Sequence, residues 1–177
     1  DKEIANFVQF ETSLSSIGNE YLAPLLEAIK NNYITTFDYT SFITSKKKER
    51  QVVPLLLKEY RNRWYLLSFD LSKSQIITYA LERIENLIVS EEIGEKPLSF
   101  DPERFFKHAV GITSSEEDPV KVILKTDKVS ARYINSQPFH TSQNIIKEGK
   151  NKTTFELNVL ISEEFIRSIL SYGGGIE

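Results

Sequence analysis

Apolar residues near the start of the chain follow a helical period, and the pattern then changes to an alternating one. Between residues 19 and 32 they recur every three or four positions, which predicts a helix with one hydrophobic face. They are Tyr21, Leu22, Leu25, Leu26 and Ile29. Pro24 falls in the first turn, where its missing N–H has no intrahelical partner, and Asn31 and Asn32 predict the end of the helix.

From residue 34 the chain consists of short runs rich in β-branched and aromatic residues, separated by polar turns. These runs predict five strands, at residues 34–41, 50–60, 64–69, 75–81 and 84–90. The charged run at residues 45–49 is predicted to be a turn. Pro54 lies inside the second run, and because proline has no N–H to donate, it indicates an edge strand or a bulge. Five short strands with tight connections predict a small antiparallel β-barrel.

The last third of the chain mixes strands and helices. A short helix at residues 103–109, started by Asp101 and Pro102, precedes elements in the order β-α-β-β-α. These elements are residues 120–126, 127–135, 143–148, 153–161 and a helix opened by Ser162. A ferredoxin-like unit needs one more strand, which Ile176 and Glu177 would begin.

The predicted fold class is therefore α+β, with four parts along the chain. They are an N-terminal linker segment (1–18), a β-barrel with its leading helix (19–95), a connector with a short helix (96–117) and an incomplete, truncated ferredoxin-like extension (118–177).

Composition narrows the function classes. A net charge of −3 and a pI near 5.6 disfavour a dedicated DNA-binding domain, which is usually basic because Lys and Arg contact phosphates. Cys is absent, and neither a membrane-spanning run nor a signal-like start is visible, so we expect a cytoplasmic protein without membrane contact. Met is also absent, which predicts a fragment of a longer protein.

Residues typical of catalysis or metal binding are sparse. No Gly-x-Ser-x-Gly elbow occurs, and His108 and His140 lack companion ligands at the spacing of a metal site. The glycines at 173–175 follow a helix, so they predict a C-cap and hinge and not a phosphate loop. The lysines at 46–48 would suit nucleic acid, but a short charged run is more typical of a solvated turn. We expect no enzyme activity, metal or cofactor.

Short motifs occur in a fixed order in the first half of the chain. They are Phe37-Asp38-Tyr39, Arg50 with Pro54 four residues later, Trp64-Tyr65-Leu66, and Leu81-Glu82-Arg83-Ile84. In this order and spacing, residues 20–90 resemble the WYL-domain family, the effector-sensing part of many bacterial transcription regulators. The run Pro-Phe-His-Thr-Ser-Gln at residues 138–143 resembles part of the C-terminal (WCX-type) extension that often follows WYL domains.

The resemblance implies an Sm/SH3-like barrel that binds an anionic effector, either a nucleotide or a single-stranded nucleic acid. It also implies that arginines contact phosphate and that tyrosines stack on a base or ribose. The extension would either mediate the contacts of a homodimer or cover the ligand. The implied ligand-binding residues are Tyr39, Arg50, Tyr65 and Arg83, and the implied contact residues of the extension are His140 and Gln143. Duplex DNA would be bound only by a helix-turn-helix domain, which this chain lacks.

The chain also departs from the family pattern. Members often carry arginine where this chain has Ile77 and Ala80, and Asp where it has Glu82. We therefore expect a pocket that is less positive than in those members.

Strand geometry gives an independent view of the aromatic residues. Because successive side chains face opposite ways, Trp64 and Leu66 share one face and are predicted, with Pro54, to belong to the core. Tyr65 points the other way, and is either a half-buried surface residue or part of a groove. Tyr39 is either a pocket residue or a cross-strand aromatic.

The two arginines have two alternative roles. A guanidinium offers a planar fork of donors for phosphate or carboxylate, so Arg50 and Arg83 converging on one groove would bind an anion. Alternatively they form ordinary salt bridges, as Arg83 would with Glu82, Glu85 or Glu49. Internal pairs would favour a constitutive dimerisation module with no effector.

Overall fold

The computed structural model describes residues 17–97, 100–115 and 117–177. Contacts divide the chain into two compact units, residues 1–97 and 98–177. Most of the predicted linker segment, residues 1–16, lies outside the described residues.

The first unit begins with the predicted helix. A 3₁₀ turn at Asn19–Tyr21 leads into α1, Leu22–Asn31, with Pro24 in its first turn. Asn32 adopts a left-handed conformation (φ 57°), which ends the helix. The predicted place of Pro24 in the first turn and the predicted end of the helix are both confirmed, because each depends on local backbone geometry.

Five antiparallel strands follow α1 and form one sheet, in the order β4-β3-β2-β1-β5. The strands are β1 (Tyr33–Thr40), β2 (Lys47–Tyr60), β3 (Arg63–Asp70), β4 (Gln75–Ala80) and β5 (Ile84–Ile93). A 3₁₀ turn at Leu81–Arg83 connects the two edge strands, β4 and β5. The α+β class is confirmed, and closure of the sheet into an Sm/SH3-like barrel stays a prediction.

The predicted charged turn at residues 45–49 is wrong in its second half, because β2 already begins at Lys47. Lys47 Nζ lies 2.9 Å from Glu85 Oε2 and 3.4 Å from Asp38 Oδ2, on two other strands of the sheet. Opposite charges on paired strands stabilise pairing, so this charged stretch extends the strand.

Pro54 lies in a central strand, since β2 pairs with both β1 and β3. The register between β2 and β3 shifts between Pro54 and Leu56. The proline therefore marks a bulge, and the alternative of an edge strand is wrong.

The face of the sheet that contacts α1 holds the hydrophobic core of this unit. Its buried members are Leu25, Phe37, Val52, Leu66, Tyr79, Leu81 and Ile84. Trp64 packs against this cluster from the same side of β3 as Leu66, and Tyr65 lies on the opposite side. Full burial of one large apolar side chain contributes about 1.5–3 kcal/mol, so this face accounts for much of the unit's stability.

The second unit begins with α2, Pro102–Phe105, whose first N–H groups bond to Asp101 Oδ1. The predicted helix was longer, ending at residue 109. The backbone tightens after Phe105, where Lys107 N bonds to Arg104 O and Ala109 N to Phe106 O. These bonds span three residues instead of four, so the helix is replaced by turns.

The remaining elements confirm the predicted order β-α-β-β-α. They are β6 (Val120–Asp127), α3 (Lys128–Ser136), β7 (Asn144–Glu148), β8 (Lys152–Val159) and α4 (Glu163–Leu170). The strands form an antiparallel sheet in the order β6-β8-β7. Buried residues from α3, α4 and the sheet form its core, including Ile134, Phe155, Leu157 and Phe165.

A short segment follows α4 and returns to the sheet. After a 3₁₀ turn at Gly173–Gly175, Ile176 forms an antiparallel bridge with Thr126. Glu177 N bonds to Lys125 O at 2.7 Å, and Lys125 N to Glu177 O at 2.9 Å. Ile176 and Glu177 therefore occupy the place predicted for a further strand, beside β6. In the described part of the chain, no helix is long and apolar enough to span a membrane.

Candidate functional site

The four predicted ligand-binding residues all belong to the first unit, but they do not share one face. Tyr39 lies near the end of β1, and Arg50 in β2 lies directly across from Phe37. Both are therefore on the face that contacts α1. Tyr65 is on the other face of β3, and Arg83 ends the 3₁₀ turn between β4 and β5.

Arg83 lies between two aromatic rings. Its guanidinium carbon is 4.9 Å from the centre of the Tyr39 ring and 4.5 Å from that of Phe42. Its Nε is buried and has no hydrogen-bond partner among the described residues. Cation–π contacts of this kind contribute about 0.5–2 kcal/mol each, depending on desolvation, and hold the guanidinium in place.

Two of the carboxylates considered as salt-bridge partners for Arg83 are paired elsewhere. Glu82 Oε1 lies 3.5 Å from Arg63 Nη1, and Glu85 Oε2 lies 2.9 Å from Lys47 Nζ. Over the described ranges, Arg83 forms no ion pair with a carboxylate. The groups that hold its guanidinium there are the faces of the two rings.

Tyr39 contacts both the aromatic core and Arg83. Its ring meets Tyr79 edge-on with the centres 4.8 Å apart, and its hydroxyl accepts a hydrogen bond from Ala80 N at 3.3 Å. Burial raises the pKa of Tyr39, and the nearby Arg83 guanidinium partly offsets this effect. The two interpretations of Tyr39 are thus compatible, since the ring packs against an aromatic neighbour and also meets a cation.

Arg50 lies beside a buried carboxylate. Its Nη1 is 4.0 Å from Oδ2 of Asp70, whose side chain is fully buried, while its own side chain is 18% exposed. Asp70 Oδ2 also accepts a 2.5 Å hydrogen bond from the Tyr79 hydroxyl. Arg50 Nε is buried and, within the described residues, has no hydrogen-bond partner. The pair is at the limit of ion-pair distance, so the Arg50 donors are only partly satisfied by Asp70.

Burial opposes ionisation of Asp70, but hydrogen bonds from Ser72, Tyr79 and Lys73 N outweigh it, and the pKa of the carboxyl is lowered. The hydrogen bond between Tyr79 and Asp70 has the opposite effect on the pKa of Tyr79, which is its donor. Burial and the neighbouring Asp70 carboxylate raise the pKa of the Tyr79 hydroxyl far above its usual range. Asp70 is therefore a fixed negative charge next to Arg50.

Tyr65 lies in a charged environment. Burial raises the pKa of its hydroxyl, Glu82 raises it further, and Arg63 and Arg83 lower it. Its hydroxyl is therefore close enough to the Arg63–Glu82 pair, and to Arg83, to interact with their charges. This places Tyr65 near the Arg83 end of the site and not near Arg50.

His140 and Gln143 lie in the second unit, in the loop between α3 and β7. His140 Nε2 is 2.9 Å from Lys107 O, so this nitrogen donates, and Nδ1 accepts from Ser142 N at 3.1 Å. Gln143 accepts from Phe139 N and donates to Ile134 O, both at 3.1 Å. Both side chains thus fix a turn, and their role in contacts with another subunit stays a prediction.

The prediction from sequence missed Phe42, Asp70 and Tyr79. Phe42 is 69% exposed in the loop after β1, and in the sequence it has the context of an ordinary loop residue. Asp70 has the sequence context of an ordinary turn residue at the end of β3. Tyr79 has that of a strand aromatic, and only the pairing of β3 with β4 brings it close to Asp70.

The fold and the motifs agree with a known domain family. The model of the WYL domain matches residues 20–89, which confirms the predicted resemblance over this stretch, and the stretch is called the WYL domain below. A search of curated proteins finds no significant match to the chain.

Several solved structures are similar, and two of them illustrate the likeness. One is "Proteasome accessory factor B/C (PafBC) of Arthrobacter aurescens", with 17% identity, a TM-score of 0.47, and 96% of this chain aligned to 25% of that one. The other is titled a CRISPR Cas-related protein, with 15% identity, a TM-score of 0.54, and 90% of this chain aligned to 46% of that one. The chain thus spans less than half the length of either, and at this identity the second likeness shows the fold alone.

The family match supports a regulatory sensing domain over a catalytic one. In the ranges that the structure describes, no group of three or more His or acidic side chains is arranged to hold a metal ion.

Proposed function

We propose that the WYL domain of this chain senses an anionic effector, a nucleotide or a single-stranded nucleic acid, and thereby controls an attached DNA-binding domain of a bacterial transcription regulator. The observation that carries the proposal is the position of Arg83 between Tyr39 and Phe42, without a carboxylate partner within the described residues. A guanidinium held by its faces keeps its in-plane Nη donors available for phosphate.

Arg83 and the rings around it would form the primary contact. The guanidinium would donate to a phosphate oxygen, and the exposed Phe42 ring, together with Tyr39 or Tyr65, would stack on a base or ribose. Stacking of this type contributes about 1–3 kcal/mol per base and tolerates any base, which fits an effector defined by its backbone.

Arg50 would provide a second, weaker contact with the anion. Asp70 at 4.0 Å already neutralises part of its charge, so its share of the affinity should be smaller than that of Arg83. The affinity for a short oligonucleotide should then depend on both arginines, but unequally.

The remaining parts of the proposal concern the whole protein. We propose that it acts in the cytoplasm as a homodimer, that the second unit with His140 and Gln143 contributes to the dimer, and that duplex DNA is bound by a helix-turn-helix domain outside this chain. Effector binding would then change the relative placement of two such domains. The domain contributes no catalytic step in this proposal.

The test is fluorescence anisotropy of a short labelled single-stranded oligonucleotide at two salt concentrations. Arg83→Gln should weaken binding roughly tenfold to a hundredfold, as expected when a charge-assisted hydrogen bond is removed. It should also make the salt dependence shallower, by about 0.7 in the log–log slope for each single-strand phosphate that the variant no longer neutralises. Arg50→Gln should have a smaller effect in the same direction.

Lys73→Gln is the matched control, since Lys73 is an exposed cation of the same unit and lies in the turn between β3 and β4. An equal reduction of affinity in this variant would mean that general charge attraction is responsible, and would contradict a site at Arg83. No binding of the wild type at tens of micromolar would rule out this effector class.

A constitutive dimerisation module is the second candidate, and the Arg50–Asp70 pair favours it, because an arginine with an internal carboxylate partner needs no ligand. In that case analytical ultracentrifugation should give a dimer whose dissociation constant is unchanged by oligonucleotide. An oligonucleotide-dependent change in the dimer dissociation constant would exclude this candidate.

A further inference from the structure

The second unit contains a cavity of about 450 Å³ between α3 and the β7–β8 hairpin. This volume is within the range of about 300–1,000 Å³ that is typical of small-molecule sites. One wall is a single side of α3, formed by Lys128, Ala131, Arg132 and Asn135, which are spaced so that they face the same way. The opposite wall is the hairpin, so the cavity lies entirely within this unit.

The charges around the cavity are unbalanced. Lys128, Arg132 and Lys150 line it together with one carboxylate, that of Glu148. None of the three cations forms an ion pair anywhere in the described part of the chain. In this unit the described ion pairs instead involve Lys121, Lys152 and Arg167, which lie outside the lining. Positive charges that gather around a cavity without ion-pair partners are complementary to an anion.

The floor of the cavity is less polar and closed to solvent. Phe155 is fully buried at its base, and Ile145, its partner on β7, borders the opening with 43% exposure. Thr153, 2% exposed, also reaches the cavity, and its hydroxyl oxygen lies 3.5 Å from Lys128 Nζ. Because Thr153 Oγ1 accepts from Lys128, its own proton remains available for an acceptor on a ligand.

We propose that this cavity binds a small phosphomonoester with a planar or apolar body. The phosphate lies between Lys128 and Arg132 and accepts from the Thr153 hydroxyl, and the body lies against Ile145 over the Phe155 floor. Three cations and one carboxylate leave a net charge of two, which matches the charge of about −1.5 to −2 that a phosphomonoester carries near pH 7. Glu148 disfavours ligands with a second anionic group and can accept from an amino group on the body.

This site is separate from the one proposed in the WYL domain. It uses different residues, belongs to the other unit and recognises a small molecule in a cavity, whereas Phe42 beside Arg83 is exposed. The two proposals can therefore fail independently.

The experiment is a titration of the ¹⁵N-labelled 177-residue chain with AMP, followed by amide chemical shifts, with adenosine and inorganic phosphate as partial probes. AMP should give saturable shifts at α3 and at the hairpin residues that line the cavity. Adenosine lacks the phosphate and inorganic phosphate lacks the body, so each should bind at least roughly tenfold more weakly than AMP.

Arg132→Gln should weaken AMP binding at the cavity roughly tenfold or more, while Lys147→Gln should leave it within about twofold. Lys147 is a suitable control because it is an exposed cation on β7, the strand that contributes Ile145 and Glu148 to the cavity. It pairs with Thr154, so its side chain is on the other face of the sheet. Arg83→Gln should leave the shifts in the second unit unchanged. An unshifted α3 at millimolar AMP, shifts confined to the WYL domain, or an equal reduction of affinity in Lys147→Gln would each overturn the proposal.

Discussion

Replacement of Asp70 by Asn removes a buried negative charge while keeping the size and shape of the side chain. Asp70 Oδ1 accepts from Ser72 N at 3.0 Å, Ser72 Oγ at 2.6 Å and Lys73 N at 3.1 Å, and Oδ2 accepts from the Tyr79 hydroxyl at 2.5 Å. A hydrogen bond to a charged group contributes about 1.5–3 kcal/mol, against about 0.5–1.5 kcal/mol for a neutral one. The variant also leaves Arg50 without its neighbouring carboxylate.

The expected reduction in the free energy of unfolding is about 2–4 kcal/mol near neutral pH, smaller than the sum over the bonds because an amide keeps several of them. This reduction should depend on pH in a defined direction. The pKa of Asp70 is lowered in the folded protein, so its stabilisation is fully present above the pKa of about 3.9 in the unfolded chain. It disappears as the pH falls through the folded pKa, and the gap between wild type and variant should close in acid.

Urea unfolding followed by tryptophan fluorescence measures this effect in the right unit, because Trp64 is the chain's single tryptophan and packs against the core of the WYL domain. Tyr79→Phe, which removes one donor and keeps the charge, should cost less than Asp70→Asn. The reasoning is refuted if Asp70→Asn costs under about 0.5 kcal/mol at pH 7, or if the gap is the same at pH 7 and well below the carboxylate pKa.

Three further predictions concern local structure, each measured by urea or thermal unfolding. Gly94→Ala should destabilise the WYL domain by about 1–3 kcal/mol, since the added Cβ would overlap the buried Val53 side chain, and a wild-type midpoint would contradict this. Ser162→Ala should cost about 1 kcal/mol because its hydroxyl caps α4 by accepting from Phe165 N at 3.2 Å, and an unchanged unfolding midpoint would contradict this. His140→Phe should destabilise the second unit by about 1–3 kcal/mol because the bonds made by both ring nitrogens disappear, and an unchanged thermal unfolding of this unit would argue against that role.

The elements that could be predicted from the sequence depend on local signals. Asp101, Asp127 and Ser162 each begin a helix as expected, because a capping side chain bonds to N–H groups only two or three residues away. The bulge at Pro54 follows from a missing donor, which is a property of one residue. The start of β2 at Lys47 was missed because charges on other strands of the sheet decide it.

The site was predictable only in part, for the same reason. The motif residues Arg50 and Arg83 could be named from the chain, but their partners come from distant positions in the sequence. Asp70 approaches Arg50 only because β2 and β3 pair in a particular register, and Phe42 reaches Arg83 only because a 3₁₀ turn follows β4. The sequence identifies such residues, but it does not show which residues lie next to them in the fold.

The pairing of Glu177 with Lys125 makes the amide of Lys125 a reporter of local opening. Its N–H is bonded to Glu177 O, so it exchanges with solvent deuterium only when this segment leaves the edge of β6. Slow exchange, equal to that of amides between β6 and β8, would mean that the segment opens only when the whole unit unfolds. Faster exchange at Lys125 would instead give the free energy of a partial opening, in which β6 becomes an edge able to accept a strand from another source.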